Sequence, residues 1–590
     1  MKWFRVCLWC ILVCGSAVAQ AQMPSFGKVD SAKVSLIQIR STDMMEGLND
    51  AAGKNLQKLI GNVQLFHDGN TMNCDSALYS SADNSFEAWG NVTIVQPDGS
   101  TASSNYLRYT GNTKTAFMQG SVSLSDGQST LWTEELDYNM ASKIGNYYKG
   151  GTLLNKSTTL SSETGTYNLA SKNALFVNNV VVNDPEFNIV SDKLSYNTGT
   201  KIVTFLAPSI ISNARSTIYC QDGTYDSNKE IALFNQRARI INENQTIEAN
   251  NLYYNKKTGY GKASGQVIIT DTVQKISIYC GFADYNELTR SFIAVIDPVM
   301  LLRNNGDKDS LFIKADTFYA APVPKRKPIA VNPDTLNVLP ADTTPQHSHV
   351  RTNPAAVKPE KKKKKNKKST PVADSTATVT TAPATRPLPT DTIDANTPDS
   401  LVKRFFIGYH NVRIFSDSLQ GVADSMYYSQ TDSTFRLYKN PVLWKAQTQL
   451  KGDTIYMHTI QNKLRKADIL GNAFMIQKEP KGPLYNQMKG KLIYAWLDTT
   501  QNLTDMLVAG NAECIYFAKD DQGAYLGVNQ SESARIKVFF KNNEVSEVML
   551  EDNISGGFKP LGKSNPAELL LKDFKWISEN RPKSRAEFGF

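Results

Sequence analysis

The ordered polar residues of this chain form a ladder of acids and amides. Catalysis by two carboxylates needs two unlike roles in one pocket, because one group donates a proton while the other stays ionised. A ladder gives every position the same role, so it predicts hydrogen bonding to turns or to the backbone, with cation binding as the alternative. The ladder recurs at spacings of 29 or 30 residues, at Asp75, Asn105, Glu134, Glu163, Asp192, Gln221 and Asn250.

Short motifs that usually carry hydrolytic chemistry are missing from the sequence. It contains no HExxH and no GxSxG, and its five histidines are scattered. His67 and His410 flank similar predicted strands, which favours exposed turn residues. We therefore expect neither an enzyme nor a cofactor-binding or metal-binding protein.

A repeat of about 30 residues sets the elements that must position these side chains. Aliphatic or small residues commonly stand two and seven positions before each repeated tyrosine, and a two-residue step is the strand period because alternate side chains share a face. Internal periods of this length are typical of stacked repeat architectures. The tyrosines that mark the repeat are Tyr79, Tyr109, Tyr138, Tyr167, Tyr196, Tyr225, Tyr254 and Tyr285.

A second strand in the repeat carries a glycine, as in GNVQLF from Gly61, GNVTIV from Gly90 and GSVSLS from Gly120. A glycine inside a strand often marks a bend or a close backbone approach, so each unit is predicted to fold from one sheet to a second at its glycine. Helical periodicity is absent, and stacked units bury what one unit cannot bury alone. The predicted fold is all-β: an elongated two-sheet open jelly roll (β-taco) built from stacked strand-pair repeats.

The chain divides into five predicted segments. Residues 1–21 combine Lys2 and Arg5 with a short apolar run and small residues, as a secretory signal peptide does, and this predicts a periplasmic location with association to the outer membrane. The others are a first β repeat domain at 22–324, a disordered insert rich in Pro, Thr and Lys at 325–402, a second β repeat block at 403–553, and a C-terminal cap or docking tail at 554–590.

The positive charge does not point to a nucleic-acid partner. The formal net charge is +9, but the run at 358–368, KPEKKKKKNKK, supplies +7 of it through eight lysines and one glutamate. The remainder of the chain is nearly neutral, so no basic face is indicated. The cysteines outside the signal peptide could pair in an oxidising compartment, but small buried apolar residues are the favoured interpretation for Cys74, Cys220, Cys280 and Cys514.

A signal peptide followed by tandem units of GNV and of an acid or amide four residues before a tyrosine resembles the OstA/LptA family. The resemblance covers most of the chain outside the insert and is greatest to the larger OstA-like branch. It implies a role in lipopolysaccharide transport, with an apolar interior that carries the acyl chains of lipid A toward the outer membrane. It also implies stacking by edge strands on similar jelly-roll proteins, including an outer-membrane translocon.

The strand after each glycine is the predicted lipid-binding surface. The alternative for these residues is that they fill a closed sandwich core, and the matching alternative function is a periplasmic structural or scaffold β solenoid that binds protein partners of the outer membrane. The predicted lipid-binding residues are Val63, Leu65, Val92, Ile94, Val122, Leu124, Val267, Ile269, Val412 and Ile414.

Overall fold

The computed structural model describes residues 35–49, 53–214, 216–303, 310–324, 402–480, 482–520, 522–542, 544–563 and 569–590. In these ranges the chain forms antiparallel strands and two short 3₁₀ helices, Leu561–Lys563 and Arg585–Phe588. The predicted all-β fold is confirmed. The predicted signal peptide, residues 1–21, and the insert up to residue 401 lie outside the described residues.

The structure divides between Lys201 and Ile202 into two compact units. The first unit contains β1 (Gln38–Ser41), β2 (Met44–Asn49), β3 (Asn55–His67), β4 (Asn70–Ser80), β5 (Ser85–Val95), β6 (Thr101–Thr110), β7 (Thr115–Ser125), β8 (Ser129–Asn139), β9 (Ile144–Tyr147), β10 (Gly151–Asn155), β11 (Thr158–Ser162), β12 (Thr164–Asn168), β13 (Asn173–Asn183) and β14 (Asn188–Asn197).

The second unit contains β15 (Ile202–Phe205), β16 (Ser209–Ser212), β17 (Ser216–Cys220), β18 (Asp222–Asp226), β19 (Ile231–Asn235), β20 (Ala238–Asn242), β21 (Gln245–Ala249), β22 (Asn251–Asn255), β23 (Tyr260–Asp271), β24 (Ile276–Asn286), β25 (Ser291–Val295), β26 (Val299–Leu302), β27 (Leu311–Lys314), β28 (Thr317–Pro322), β29 (Arg404–Tyr409), β30 (Val412–Phe415), β31 (Gln420–Ala423), β32 (Ser425–Ser429), β33 (Thr434–Tyr438), β34 (Val442–Lys445), β35 (Thr448–Lys451), β36 (Thr454–Ile460), β37 (Lys463–Lys478), β38 (Tyr485–Leu497), β39 (Leu503–Lys519), β40 (Tyr525–Lys541), β41 (Glu544–Glu551) and β42 (Ser555–Lys559).

The long strands bend at the predicted glycine. In β5 the bend is Gly90 followed by Asn91, with φ of 78° and 44°, and the pairing with β6 shifts register across it. Two successive left-handed residues reverse the local course of a strand, and glycine adopts that conformation most easily. We call such a two-residue bend a corner; it splits each strand between a tyrosine sheet, such as Ser85–Trp89, and a valine sheet, such as Val92–Val95.

The two sheets of the first unit face each other. His67, at the valine-sheet end of β3, has its Nδ1 atom 2.7 Å from the hydroxyl of Tyr109, at the tyrosine-sheet end of β6. Strand ends remote from the corners therefore meet, and we call that side the seam. Phe86 and Ala88 on one sheet and Ile94 on the other are buried, so the core lies between the sheets.

The strands on either side of the predicted insert are neighbours in the second unit. Pro322 of β28 pairs with Arg404 of β29, and β27 pairs with β30. Residues 325–401 thus connect consecutive paired strands of the second unit.

The segment predicted as a C-terminal cap or docking tail begins with β42, which pairs with β40. Residues 569–590 then pack on the valine sheet of the second unit, where Leu569 and Leu571 join a buried cluster with Phe474 and Ile515. Phe588 joins a second cluster with neighbours that include Phe312.

Candidate functional site

The acid and amide ladder stabilises the corners. Asn91 Nδ2 donates to Asp75 Oδ2 at 3.0 Å, and Asn179 Nδ2 donates to Glu163 Oε1 at 2.5 Å. Each of these two acids holds the left-handed residue of the next strand in place. At Asp75 and Glu163 the contacts are those of a structural ladder.

The structure offers no metal centre in the ranges it describes: no group of three or more His, Cys, Asp or Glu side chains could hold an ion there. The same ranges contain no helix with the length and hydropathy needed to cross a membrane. The four cysteines in these ranges are free and buried, which fits the predicted packing role. Burial raises the pKa of each thiol to about 12.

One inward-facing row of apolar side chains runs across the valine sheet of the first unit, and each member is paired in register with the next. Its packing is complete, since every member is buried. The predicted residues Val63, Leu65, Val92, Ile94, Val122 and Leu124 face this interior and are at most 1% exposed. The row consists of Leu65, Met72, Ile94, Ala102, Leu124, Leu131, Leu153, Leu160, Val182 and Ile189.

Polar contacts close the seam of the first unit. The Tyr138 hydroxyl donates to Gln96 Oε1 at 2.6 Å, and the Tyr167 hydroxyl donates to Asp126 Oδ2 at 3.0 Å. Burial raises the pKa of both phenols well above its ordinary value, so the hydroxyls remain neutral donors. Lys143 also forms an ion pair with Asp98 between the strand ends.

The prediction for His67 was wrong, whereas His410 is exposed as expected. His67 is only 1% exposed, because its ring lies inside the seam against Tyr109. The side chain of His410 is 66% exposed, and its Nδ1 atom lies 3.0 Å from Asp424 Oδ1.

An equivalent row in the second unit begins with side chains that are only partly buried. The predicted residues Val267, Val412 and Ile414 are buried, whereas Ile269 is half-buried. The row runs in register through Ile211, Ile218, Ile240, Ile247, Ile269, Ile278, Met300, Ile313 and Ile414. We call the half-buried members the isoleucine window: Ile211, Ile218, Ile240, Ile247 and Ile269.

The facing sheet is also partly exposed beside the isoleucine window. Tyr225, Tyr254 and Tyr285 are half-buried, whereas Tyr138 and Tyr167 of the first unit are 1% exposed. The Tyr254 hydroxyl bonds to Glu287 in a turn of its own sheet. The apolar interior of the second unit is therefore accessible here from the seam.

Sequence reasoning found Ile269 but missed the other four members of the isoleucine window. The GNV signal is absent there, since the corner between β19 and β20 is Gln236–Arg237, both with positive φ. A different signal was available: Ile218 and Ile247 stand seven residues before Tyr225 and Tyr254, in the repeat position that reaches this row.

A cavity of about 530 Å³ lies at a corner of the first unit, beside the predicted residue Val122. Gly150, Gly151, Trp132 and Thr133 also line it. Trp132 points away from the core and is 44% exposed, so this cavity faces outward and does not extend the interior row.

Comparison with protein families addresses the first unit. Residues 34–192 match the family described as OstA-like protein. We call this part of the chain the OstA-like domain, after the family that it resembles. The OstA-like domain includes the hydrogen-bonded seam and the filled row from Leu65 to Ile189. The corner geometry continues beyond this domain, at Gly265 and Gly471. A comparison with curated proteins finds no match.

Proposed function

We propose that this protein is a periplasmic carrier of lipopolysaccharide that holds the acyl chains of lipid A between its two sheets and passes them toward the outer membrane. The isoleucine window carries the proposal, because it joins an accessible apolar surface to an inward-facing row within the second unit. The OstA-like domain and the predicted signal peptide support the same role.

The energetics of an acyl chain require such a surface. Each methylene removed from water is worth about 0.8 kcal/mol, so a lipid with several chains leaves a membrane only where a protein covers them. At the isoleucine window, acyl chains would contact Ile218, Ile240 and Ile247 without displacing buried side chains. Elsewhere the row is filled, so passage along it requires the sheets to separate at the seam.

Free strand edges support the proposed partners. In the described part of the chain, β2 pairs only with β3, and it exposes Met44 and Met45. Among the described strands of the second unit, β42 pairs only with β40 and exposes Phe558. An edge strand with unpaired backbone groups accepts a strand from a partner, which fits stacking on other jelly-roll proteins and on an outer-membrane translocon.

A scaffold that binds only protein is the second candidate function. The filled interior of the OstA-like domain favours it, because Leu65, Ile94 and Leu124 have no exposed surface. Such a scaffold would use the strand edges and would carry no lipid.

Site-specific photocrosslinking separates the two functions. A photoreactive residue at Ile240 would face acyl chains at the isoleucine window, whereas one at the adjacent, outward-facing Arg239 would not. We expect a lipid A adduct, identified by mass spectrometry, at Ile240, a weaker one at Val92 and none at Arg239. No adduct at Ile240, together with no lipid A in extracts of the purified protein, would favour the scaffold.

A further inference from the structure

We propose that the outer face of the valine sheet in the second unit is a peptide-binding groove, and that residues 569–590 are its resident ligand. We call these residues the tail and their docking surface the tail groove. The proposal does not depend on lipid transport, because it concerns the sheet face that points away from the interior.

Two buried glutamines recognise the tail backbone. Gln487 is 0% exposed; its Nε2 donates to Leu569 O at 2.8 Å and its Oε1 accepts from Leu571 N at 2.9 Å. In the same way, Gln449 Nε2 donates to Lys575 O and Gln449 Oε1 accepts from Ile577 N, at 2.8 Å each. Each glutamine side chain therefore hydrogen-bonds to the backbone C=O and the backbone N–H on either side of one tail residue. A neighbouring strand makes the same pair of bonds to an extended chain.

Side-chain sites accompany this backbone recognition. Leu569 and Leu571 are 8% exposed and pack against Phe474 and Phe517. Trp444, at 0% exposure, donates from Nε1 to the carbonyl of Ile577 at 2.9 Å.

The far end of the tail has its own contacts. Phe588 packs against Phe312 and Phe415, and Arg585 Nη2 lies 2.8 Å from Asp417 Oδ2. Glu587 pairs with Arg413. Apolar side chains therefore anchor both ends of the tail, and opposite charges fix its register.

The outer face differs between the two units in a way that matches this role. After the corner, the two outward-facing positions of each first-unit strand include at least one polar residue, whereas both positions in β37 are large and apolar, Phe474 and Ile476. The first-unit pairs are Gln64 and Phe66 in β3, Thr93 and Val95 in β5, and Ser123 and Ser125 in β7. Large apolar side chains on an exposed sheet face indicate an interaction surface. The tail covers that surface with an extended segment, so the groove suits a peptide with alternating apolar residues.

The test uses the full chain with a protease site placed in residues 564–568. After the protein has folded, cleavage breaks the covalent link between the tail and the rest of the chain but leaves the tail in the groove. A fluorescent peptide with the sequence of residues 569–590 is then added, and its binding is followed by anisotropy. We expect saturable binding that unlabelled peptide reverses. Gln487→Ala should weaken it about tenfold, as the loss of two neutral hydrogen bonds predicts.

Matched controls make the result decisive. Gln64→Ala removes an outward-facing glutamine from the first unit and should leave peptide binding unchanged. A peptide carrying Leu571→Asp tests the same contact with unaltered protein, so a folding defect in Gln487→Ala cannot obscure the result. The proposal is overturned by no saturable binding up to about 100 µM peptide, or by equal binding of the Leu571→Asp peptide.

Discussion

At the scale of single residues, the corners depend on two left-handed residues and one side chain from the neighbouring strand. Gly90 has φ of 78°, and an added Cβ would lie 2.3 Å from Asp75 Oδ2. Glycine is required at position 90 for two reasons: the backbone conformation disfavours other residues, and Asp75 occupies the space that a side chain would need. The sequence could predict this bend, since glycine and the acid recur with fixed spacing.

Gly90→Ala should destabilise the first unit more than Gly99→Ala. Gly99 has a similar φ of 83°, but nothing lies within 4 Å of an added Cβ. Both variants suffer the same backbone strain, whereas Gly90→Ala also displaces Asp75, which should lower the free energy of unfolding by a further 1–3 kcal/mol, roughly. Urea unfolding of the two variants measures the difference, and equal losses would show that the acid moves aside freely.

His67 shows where prediction from single residues stops. A polar residue at the end of a strand is typical of an exposed turn, and nothing local contradicts that interpretation. Its burial is caused by Tyr109, which is 42 residues away in sequence. That contact follows from the closure of the seam, which no short pattern encodes.

At the scale of elements, the seam joins strand ends through tyrosine hydroxyls in the first unit. Tyr138→Phe should lower the free energy of unfolding by about 1 kcal/mol, because it removes a buried hydrogen bond to Gln96. Tyr254→Phe is the matched control and should cost less than half as much, since its bond to Glu287 lies in an exposed turn. Urea unfolding tests both variants. A larger loss of unfolding free energy for Tyr254→Phe would contradict the view that the tyrosine hydroxyls hold the seam closed.

The ion pair of the seam predicts a dependence on pH. The hydrogen bond from Lys143 holds the pKa of Asp98 at about 2, below its ordinary value. A depressed carboxyl pKa stabilises the folded state above pH 4, approximately, and that contribution disappears as pH falls toward 2.

Asp98→Asn should therefore be less stable than the unaltered protein at pH 7, by up to about 1 kcal/mol for so exposed a pair. The difference should shrink below pH 4, roughly, and vanish near pH 2. Urea unfolding at pH 7, 4 and 2.5 gives the comparison. A difference that stays constant over this range would mean that the charge of Asp98 contributes nothing.

The strands could be predicted from the sequence, but the isoleucine window could not. Alternation of apolar residues fixes which side chains point inward, and Ile269 was placed correctly by that rule. Exposure depends on the facing sheet as well, where Tyr254 bonds within its own sheet instead of across the seam. Periodicity contains no information about that choice.

At the scale of the whole molecule, repetition determines most of what the sequence could predict. The same repeat of about 30 residues gives each compact unit an inward-facing row. The row runs from Leu65 to Ile189 in the first unit and from Ile211 to Ile414 in the second. The tail groove could not be predicted from the sequence, because nothing in the sequence distinguishes Gln449 and Gln487 from other polar residues. Their role follows only from the packing of residues 569–590 against them.

The predicted insert provides the last test. Val323 N donates to Lys403 O at 2.9 Å, so the chain leaves and re-enters the second unit at one place. Replacing residues 325–401 with an Asn-Gly turn should preserve the pairing of β28 with β29. If those residues form a flexible loop, as their composition predicts, the shorter connection should raise the free energy of unfolding by about 2–3 kcal/mol, since each doubling of loop length costs about 0.6 kcal/mol.

Replacing the eight lysines of residues 358–368 with serine keeps the length and removes the charge, so this control should leave the unfolding free energy unchanged. Urea unfolding followed by tryptophan fluorescence measures both variants. A folded insert that packs on the second unit would give the opposite sign for the deletion, because buried contacts would be lost. The sign of one measurement therefore decides between a loop that only connects two paired strands and a domain that supports them.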